Sequence, residues 1–107
     1  MGTDYLMDTS AASKFLKGQF PSPGMRRMKQ LVDEGSVISF VTQIELMSWP
    51  IEDATTQNQV AEFLDGSKII GLSEEIIRVT AEIRRGIGLK LPDALIAATA
   101  LALRATL

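Results

Sequence analysis

Three acidic residues stand at positions where carboxylates could act together. Asp8 follows the apolar segment at 5–7, Glu45 lies within VTQIELMSW, and Asp93 heads the apolar segment DALIAATAL. The chain contains no histidine and no cysteine, so imidazole, thiolate and disulfide chemistry are excluded. Any catalytic or metal-binding chemistry must therefore depend on carboxylates, hydroxyls, amines, the main chain or a bound ion.

Carboxylates of this kind indicate a site for a hard cation. Several acids in one partly desolvated pocket repel each other, and a bound cation relieves that repulsion. Because oxygen ligands without nitrogen or sulfur favour hard ions, we expect Asp8, Glu45 and Asp93 to bind Mg²⁺ or Mn²⁺. Such an ion can hold a phosphoryl oxygen and supply a water nucleophile, which are the requirements of phosphodiester hydrolysis.

Each of these residues also has a purely structural interpretation. Asp8 could cap the helix that follows it, and Asp93 could stabilise the positive end of its own helix. Glu45 could flank an apolar stripe and reach solvent. Ser10 is most simply a helix cap. Taken singly, Glu45 and Asp93 fit the structural interpretation better, whereas the three acids together favour a shared cation.

Short apolar strands alternate with helices along the chain. Strands are predicted at 5–8, 37–41 and 68–72, and helix pairs follow them in the order βααβααβαα. Apolar strands joined by helical crossovers indicate a parallel sheet covered on both faces. Ligands bind such sheets beyond the carboxyl ends of the strands, so we expect all three acids at one rim.

Length and composition are those of one globular domain. The chain has 107 residues, of which 46% are hydrophobic and 22% are charged. The net charge of −2 gives no bulk electrostatic reason to bind nucleic acid. We find no signal peptide and no apolar segment long enough to span a membrane, and we therefore expect a cytoplasmic protein.

Three segments, YLMDTSAASKFL, VTQIELMSW and LPDALIAATAL, resemble in order and spacing the PIN-domain ribonucleases. The likeness is closest to the VapC-like toxins of bacterial type II toxin–antitoxin pairs and covers nearly the whole chain. It implies an α/β protein with a three-layer α/β/α PIN-like fold and a central, mostly parallel sheet, formed by residues 1–107 as a single domain. It also implies Mg²⁺- or Mn²⁺-dependent cleavage of RNA, a homodimer, and inhibition by a small antitoxin protein.

The resemblance also assigns roles to individual residues. Asp8, Glu45 and Asp93 match three acids that bind metal and act in catalysis, and Ser10 matches a supporting hydroxyl two positions after the first acid. The family commonly has a fourth acid after a strand that follows the last helix, and this sequence ends before that point. We therefore expect a C-terminally truncated domain whose sheet lacks its last strand.

Two functions stay open at this stage. One is an active metal-dependent endoribonuclease, and the other is a catalytically impaired PIN domain that acts as a protein- or nucleic-acid-binding module. A phosphatase of the haloacid-dehalogenase kind would need a second Asp where this chain has Ser10. Four basic residues near the predicted rim could position the RNA backbone, namely Lys14, Lys17, Arg84 and Arg85. Surface solvation is the commoner role of such residues.

Overall fold

The structure is a computed structural model that describes residues 5–104. The described chain begins with an extended segment at 5–8 and continues through helices and two strands. These elements are α1 (Thr9–Leu16), α2 (Ser22–Asp33), β1 (Val37–Ser39), α3 (Phe40–Met47), α4 (Ala54–Asp65), β2 (Lys68–Ile70), α5 (Glu74–Gly86) and α6 (Leu91–Leu103).

The sheet is parallel, and β1 lies at its centre. On one side β1 pairs with β2, with Ile38 opposite Ile69. On the other side Met7 forms a single parallel bridge to Ile38, and the Met7 N–H donates to the Val37 carbonyl at 2.9 Å. Of the strand predicted at 5–8, the structure retains only isolated bridge residues, Tyr5 and Met7, and α1 begins directly after Asp8.

Side chains alternate across this sheet and form a hydrophobic core on each face. The first core includes a strand residue, the start of α3 and the inner side of α6, namely Leu6, Val37, Val41, Ile96 and Ala100. The second includes a residue of β1 and residues of α1, α3 and α4, namely Ile38, Ala12, Leu46, Val60 and Phe63. Since neighbouring strand residues point to opposite faces, α6 covers one face and α1 with α4 covers the other. This is the expected three-layer α/β/α arrangement.

Strand β1 is shorter than the predicted strand at 37–41. The Ser39 hydroxyl accepts the Val41 N–H at 3.0 Å and caps α3, so Phe40 and Val41 belong to the first turn of that helix. Thr42 lies one turn further on, is completely buried, and is available for a contact between elements.

Helix α6 buries a broad part of its surface. Ile96 and Ala100 are buried in the first core, whereas Leu101 is 62% exposed. Because α6 lies against both α3 and α5, small side chains are buried as well, including Ala94, Ala98 and Thr99. Residues 105–107 lie outside the described part of the chain.

Across residues 5–104, none of the helices combines the length and the apolar character that crossing a membrane requires.

Candidate functional site

Asp8 lies between the segment that bridges β1 and the start of α1. Its Oδ1 accepts the Ala11 N–H at 2.8 Å, so the side chain caps α1. The capping interpretation of Asp8 is therefore correct. It uses one carboxylate oxygen of an exposed residue, and the second oxygen is available to another ligand.

Glu45 is half-buried on α3 and is hydrogen-bonded to α1. The Thr9 hydroxyl donates to Glu45 Oε1 at 2.6 Å, and Thr9 Oγ1 lies 2.9 Å from Thr42 Oγ1. An ionised carboxylate only accepts hydrogen bonds, so the single proton of Thr9 is used on Glu45. Thr42 must therefore be the donor to Thr9. This chain of Thr42, Thr9 and Glu45 is called the threonine relay below.

Asp93 lies in the first turn of α6, where a negative charge is favoured by the helix dipole. The residue is exposed, and α6 packs against α3, the helix that carries Glu45. Asp93 and Glu45 thus lie on two helices that pack together, and a hydrogen bond joins Glu45 to Thr9, the neighbour of Asp8 in the chain. The elements that carry Asp8 and Asp93, at the starts of α1 and α6, thus each pack against α3, which carries Glu45.

The acidic side chains themselves are not gathered into a ready-made metal cage. Within residues 5–104, no three acidic side chains lie close enough together to hold a metal ion. We expected all three acids to lie in a partly desolvated pocket, and this is wrong for Asp8 and Asp93, which are exposed. Among the three, only Glu45 is half-buried. The Asp93 side chain is exposed at the start of α6, whereas the Asp8 side chain is held by its hydrogen bond to the Ala11 N–H.

The structural interpretation of Ser10 as a helix cap is wrong, because Asp8 caps α1. Ser10 is exposed in the first turn of α1, and the hydroxyl that contacts Glu45 belongs to Thr9. Sequence reasoning missed both relay threonines. One signal could have identified the second, because Thr42 and Glu45 are three positions apart and such residues share one face of a helix.

Two of the cations suggested for RNA positioning have structural contacts. The Lys17 ammonium lies 5.1 Å from the centroid of the Trp49 ring, a cation–π distance. The Arg84 guanidinium donates from Nε to the Leu89 carbonyl at 3.3 Å, beside the end of α5. Both contacts explain these residues without any ligand.

A groove of about 1090 Å³ opens between α1, α2 and α4. Its lining includes the aromatic residues Phe15, Phe20 and Phe63 together with the cations Arg26 and Lys29. An apolar groove with charged residues beside it is the kind of surface to which an amphipathic helix of another protein binds.

Comparison with known proteins identifies the family. Residues 5–107 match the model of the PIN domain, and the chain belongs to the PIN domain family. The chain is also similar to a solved structure described as a toxin–antitoxin complex from Klebsiella pneumoniae, with 28% sequence identity and a TM-score of 0.74. That alignment covers 94% of this chain and 81% of the other. A comparison with curated proteins gives no match.

These findings confirm the predicted resemblance and the predicted fold class. PIN domains are in general nucleases, and the fold built here from a small parallel sheet between helical layers is consistent with that family.

Proposed function

We propose that this protein is the toxin of a toxin–antitoxin pair and a divalent-metal-dependent endoribonuclease that hydrolyses RNA phosphodiester bonds. The observation that carries the proposal is the contact between α1 and α3 in a PIN-domain chain. That contact joins Glu45 to Thr9, the residue that follows Asp8 where the Met7 segment leaves the sheet, and so supports a site shared by Asp8 and Glu45. This is the edge at which parallel α/β sheets bind ligands.

The proposed cofactor is Mg²⁺ or Mn²⁺, held by Asp8, Glu45 and Asp93. The donor set fits such an ion chemically, because these ions prefer carboxylate oxygen and the chain offers neither imidazole nor thiolate. When bound, the ion would neutralise negative charge on the phosphate and lower the pKa of a water molecule. The exposure of Asp8 and Asp93 supports this ligand set, since the second oxygen of Asp8 and the carboxylate of Asp93 are open to an ion from solvent.

The remaining site residues orient and support these acids. The Thr9 hydroxyl fixes Oε1 of Glu45, and the Ala11 N–H fixes Oδ1 of Asp8. Ser10, exposed in the first turn of α1, is proposed to hydrogen-bond a water or a phosphate oxygen of the RNA. The N–H groups at the start of α6 add a positive partial charge next to Asp93 and so favour bound phosphate.

The proposed partners are an antitoxin protein and a second copy of this chain, in the cytoplasm. The similar toxin–antitoxin complex supports the first, and the groove between α1, α2 and α4 offers an apolar surface for it. Exposed apolar side chains on α6 and beside α5, such as Leu101 and Ile87, support self-association. Gel filtration of the chain alone and with the protein encoded beside it tests both partners. One monomeric peak in both runs would contradict the proposal.

A second candidate function is a PIN domain without nuclease activity that acts as a binding module for protein or nucleic acid. The observation that favours it is that no three acids are gathered within residues 5–104. Calorimetric titration with Mn²⁺ separates the two candidates. Saturable binding at or below millimolar ion supports the nuclease, and no saturable binding supports the module.

The nuclease is tested directly by cleavage of a structured RNA in the presence of Mn²⁺. We expect the wild-type protein to produce defined fragments on a denaturing gel and Asp8→Asn to leave the RNA intact. Equal cleavage by both proteins would contradict the proposed metal site.

A further inference from the structure

The buried Thr42 hydroxyl makes its hydrogen bond to a different helix and not within its own. Thr42 is 0% exposed, and a buried hydroxyl without a partner is destabilising. The buried residues Thr80 and Thr99 satisfy their hydroxyls locally, each donating to the carbonyl four positions earlier at 2.6 and 2.7 Å. Thr42 instead contacts Thr9, which is 33 positions away in the sequence.

The direction of the relay is fixed by its last member. Glu45 can only accept, so protons point from Thr42 to Thr9 and from Thr9 to Glu45 Oε1. Hydrogen bonds in such a chain polarise each other, and a bond to a charged acceptor is the stronger kind. The relay therefore ends as a charge-assisted bond on a single oxygen of Glu45.

Other contacts already satisfy the structural needs of this region. Asp8 caps α1, and Ser39 caps α3. The two helices also meet through apolar side chains, since Ala12 of α1 and Leu46 of α3 belong to one core cluster. The relay is therefore not required to cap either helix or to bring the two helices together.

We propose that Thr9 and Thr42 are positioning residues for Glu45. They hold Oε1 in one orientation and so leave Oε2 directed for a divalent cation. This inference rests on the proposed function, because it assigns the threonines a role only if Glu45 binds a cation. Residues that hydrogen-bond a metal ligand are known to affect metal affinity by about 10–100-fold.

The test compares Mn²⁺ affinity among matched variants by calorimetry. Thr9→Val removes the direct donor, Thr42→Val removes the residue that holds Thr9, and Thr9→Ser keeps the donor. Thr99→Val is the control, because it removes an equally buried threonine hydroxyl whose bond stays within α6. We expect Thr9→Val and Thr42→Val to weaken Mn²⁺ binding by about 10-fold, the lower end for such residues. Thr9→Ser and Thr99→Val should bind as the wild type does.

A second measurement reports on Glu45 without metal. Side-chain couplings measured by NMR should show one dominant rotamer of Glu45 in the wild type and averaging in Thr9→Val. If Thr42→Val does not fold, the comparison of Thr9→Val with Thr9→Ser decides the test. Substitution of Thr9 disturbs folding less, because Thr9 is only half-buried.

The outcomes separate this inference from the proposed function. Wild-type binding of Mn²⁺ with unchanged affinity in Thr9→Val and Thr42→Val would overturn the positioning role and leave the nuclease intact. A wild-type protein that does not bind Mn²⁺ would contradict the proposed metal site and overturn this inference with it. Unchanged Glu45 couplings in Thr9→Val would also overturn the inference.

Discussion

Asp8 is expected to have two roles that a pair of substitutions can separate. Its Oδ1 caps α1 through the Ala11 N–H, and its negative charge serves the proposed metal site. Asp8→Asn removes the charge but keeps a side-chain oxygen that accepts the same hydrogen bond. Asp8→Ala removes the charge and the cap together.

The expected magnitudes follow from these contacts. Asn and Asp are about equally good helix caps, whereas replacing either by Ala costs about 1 kcal/mol. In a domain of about 100 residues, that loss lowers the melting temperature by roughly 4–8 °C. Asp8→Asn should therefore unfold like the wild type, and Asp8→Ala should unfold at lower temperature. Both variants lose a proposed direct metal ligand. We therefore expect each to cleave RNA at least about 100-fold more slowly than the wild type, since residues that only support a ligand already cost up to about 100-fold.

Two assays measure the two roles independently. Thermal or urea unfolding without added metal gives the stability of each variant, and initial rates of RNA cleavage with Mn²⁺ give the activity. Wild-type cleavage by Asp8→Asn would refute the role of the charge. Equal stability of Asp8→Asn and Asp8→Ala would refute the role of the cap.

Two further predictions concern the fold around the site. Ile38 is 0% exposed and is paired with a neighbouring segment on each side. Ile38→Ala should therefore lower the free energy of unfolding in urea by about 2–5 kcal/mol, whereas Ile77→Ala, at an exposed position, should change it little. Equal effects of the two substitutions would contradict the assignment of β1 to the centre of the sheet. The side-chain and backbone hydrogen bonds from Thr56 hold the pKa of Asp53 below its ordinary value of 3.8. Because the pKa of Asp53 is lower in the folded than in the unfolded protein, its ionised carboxylate stabilises the fold above pH 3.8. That contribution is lost as the pH falls through the pKa of the folded state. Thr56→Val should raise the Asp53 pKa in an NMR titration, and an unchanged value would contradict the role of the hydroxyl.

The order of the elements could be predicted because their local signals are strong. The strands predicted at 37–41 and 68–72 form the expected parallel pair over residues 37–39 and 68–70, and helices follow both of them as expected. The boundary between β1 and α3 was missed for a local reason. Phe40 and Val41 favour strands by their side chains, yet the Ser39 hydroxyl caps the helix in front of them.

The arrangement of the site could be predicted only in part. The capping role of Asp8 and the helix-start position of Asp93 follow from local sequence and are found in the structure. The contact of Thr9 with Thr42 and Glu45 could not be read in the same way, because it joins residues more than 30 positions apart. It depends on α1 and α3 packing against the same face of the sheet, which only the folded chain specifies.

Diffraction from crystals soaked in MnCl₂, measured at a wavelength where manganese scatters anomalously, tests the shared ion most directly. We expect one anomalous peak contacted by oxygens of Asp8, Glu45 and Asp93 at about 2.1 Å, the distance typical of small hard dications. A map without a peak at these residues, or with manganese held elsewhere while the three acids stay apart, would contradict the account.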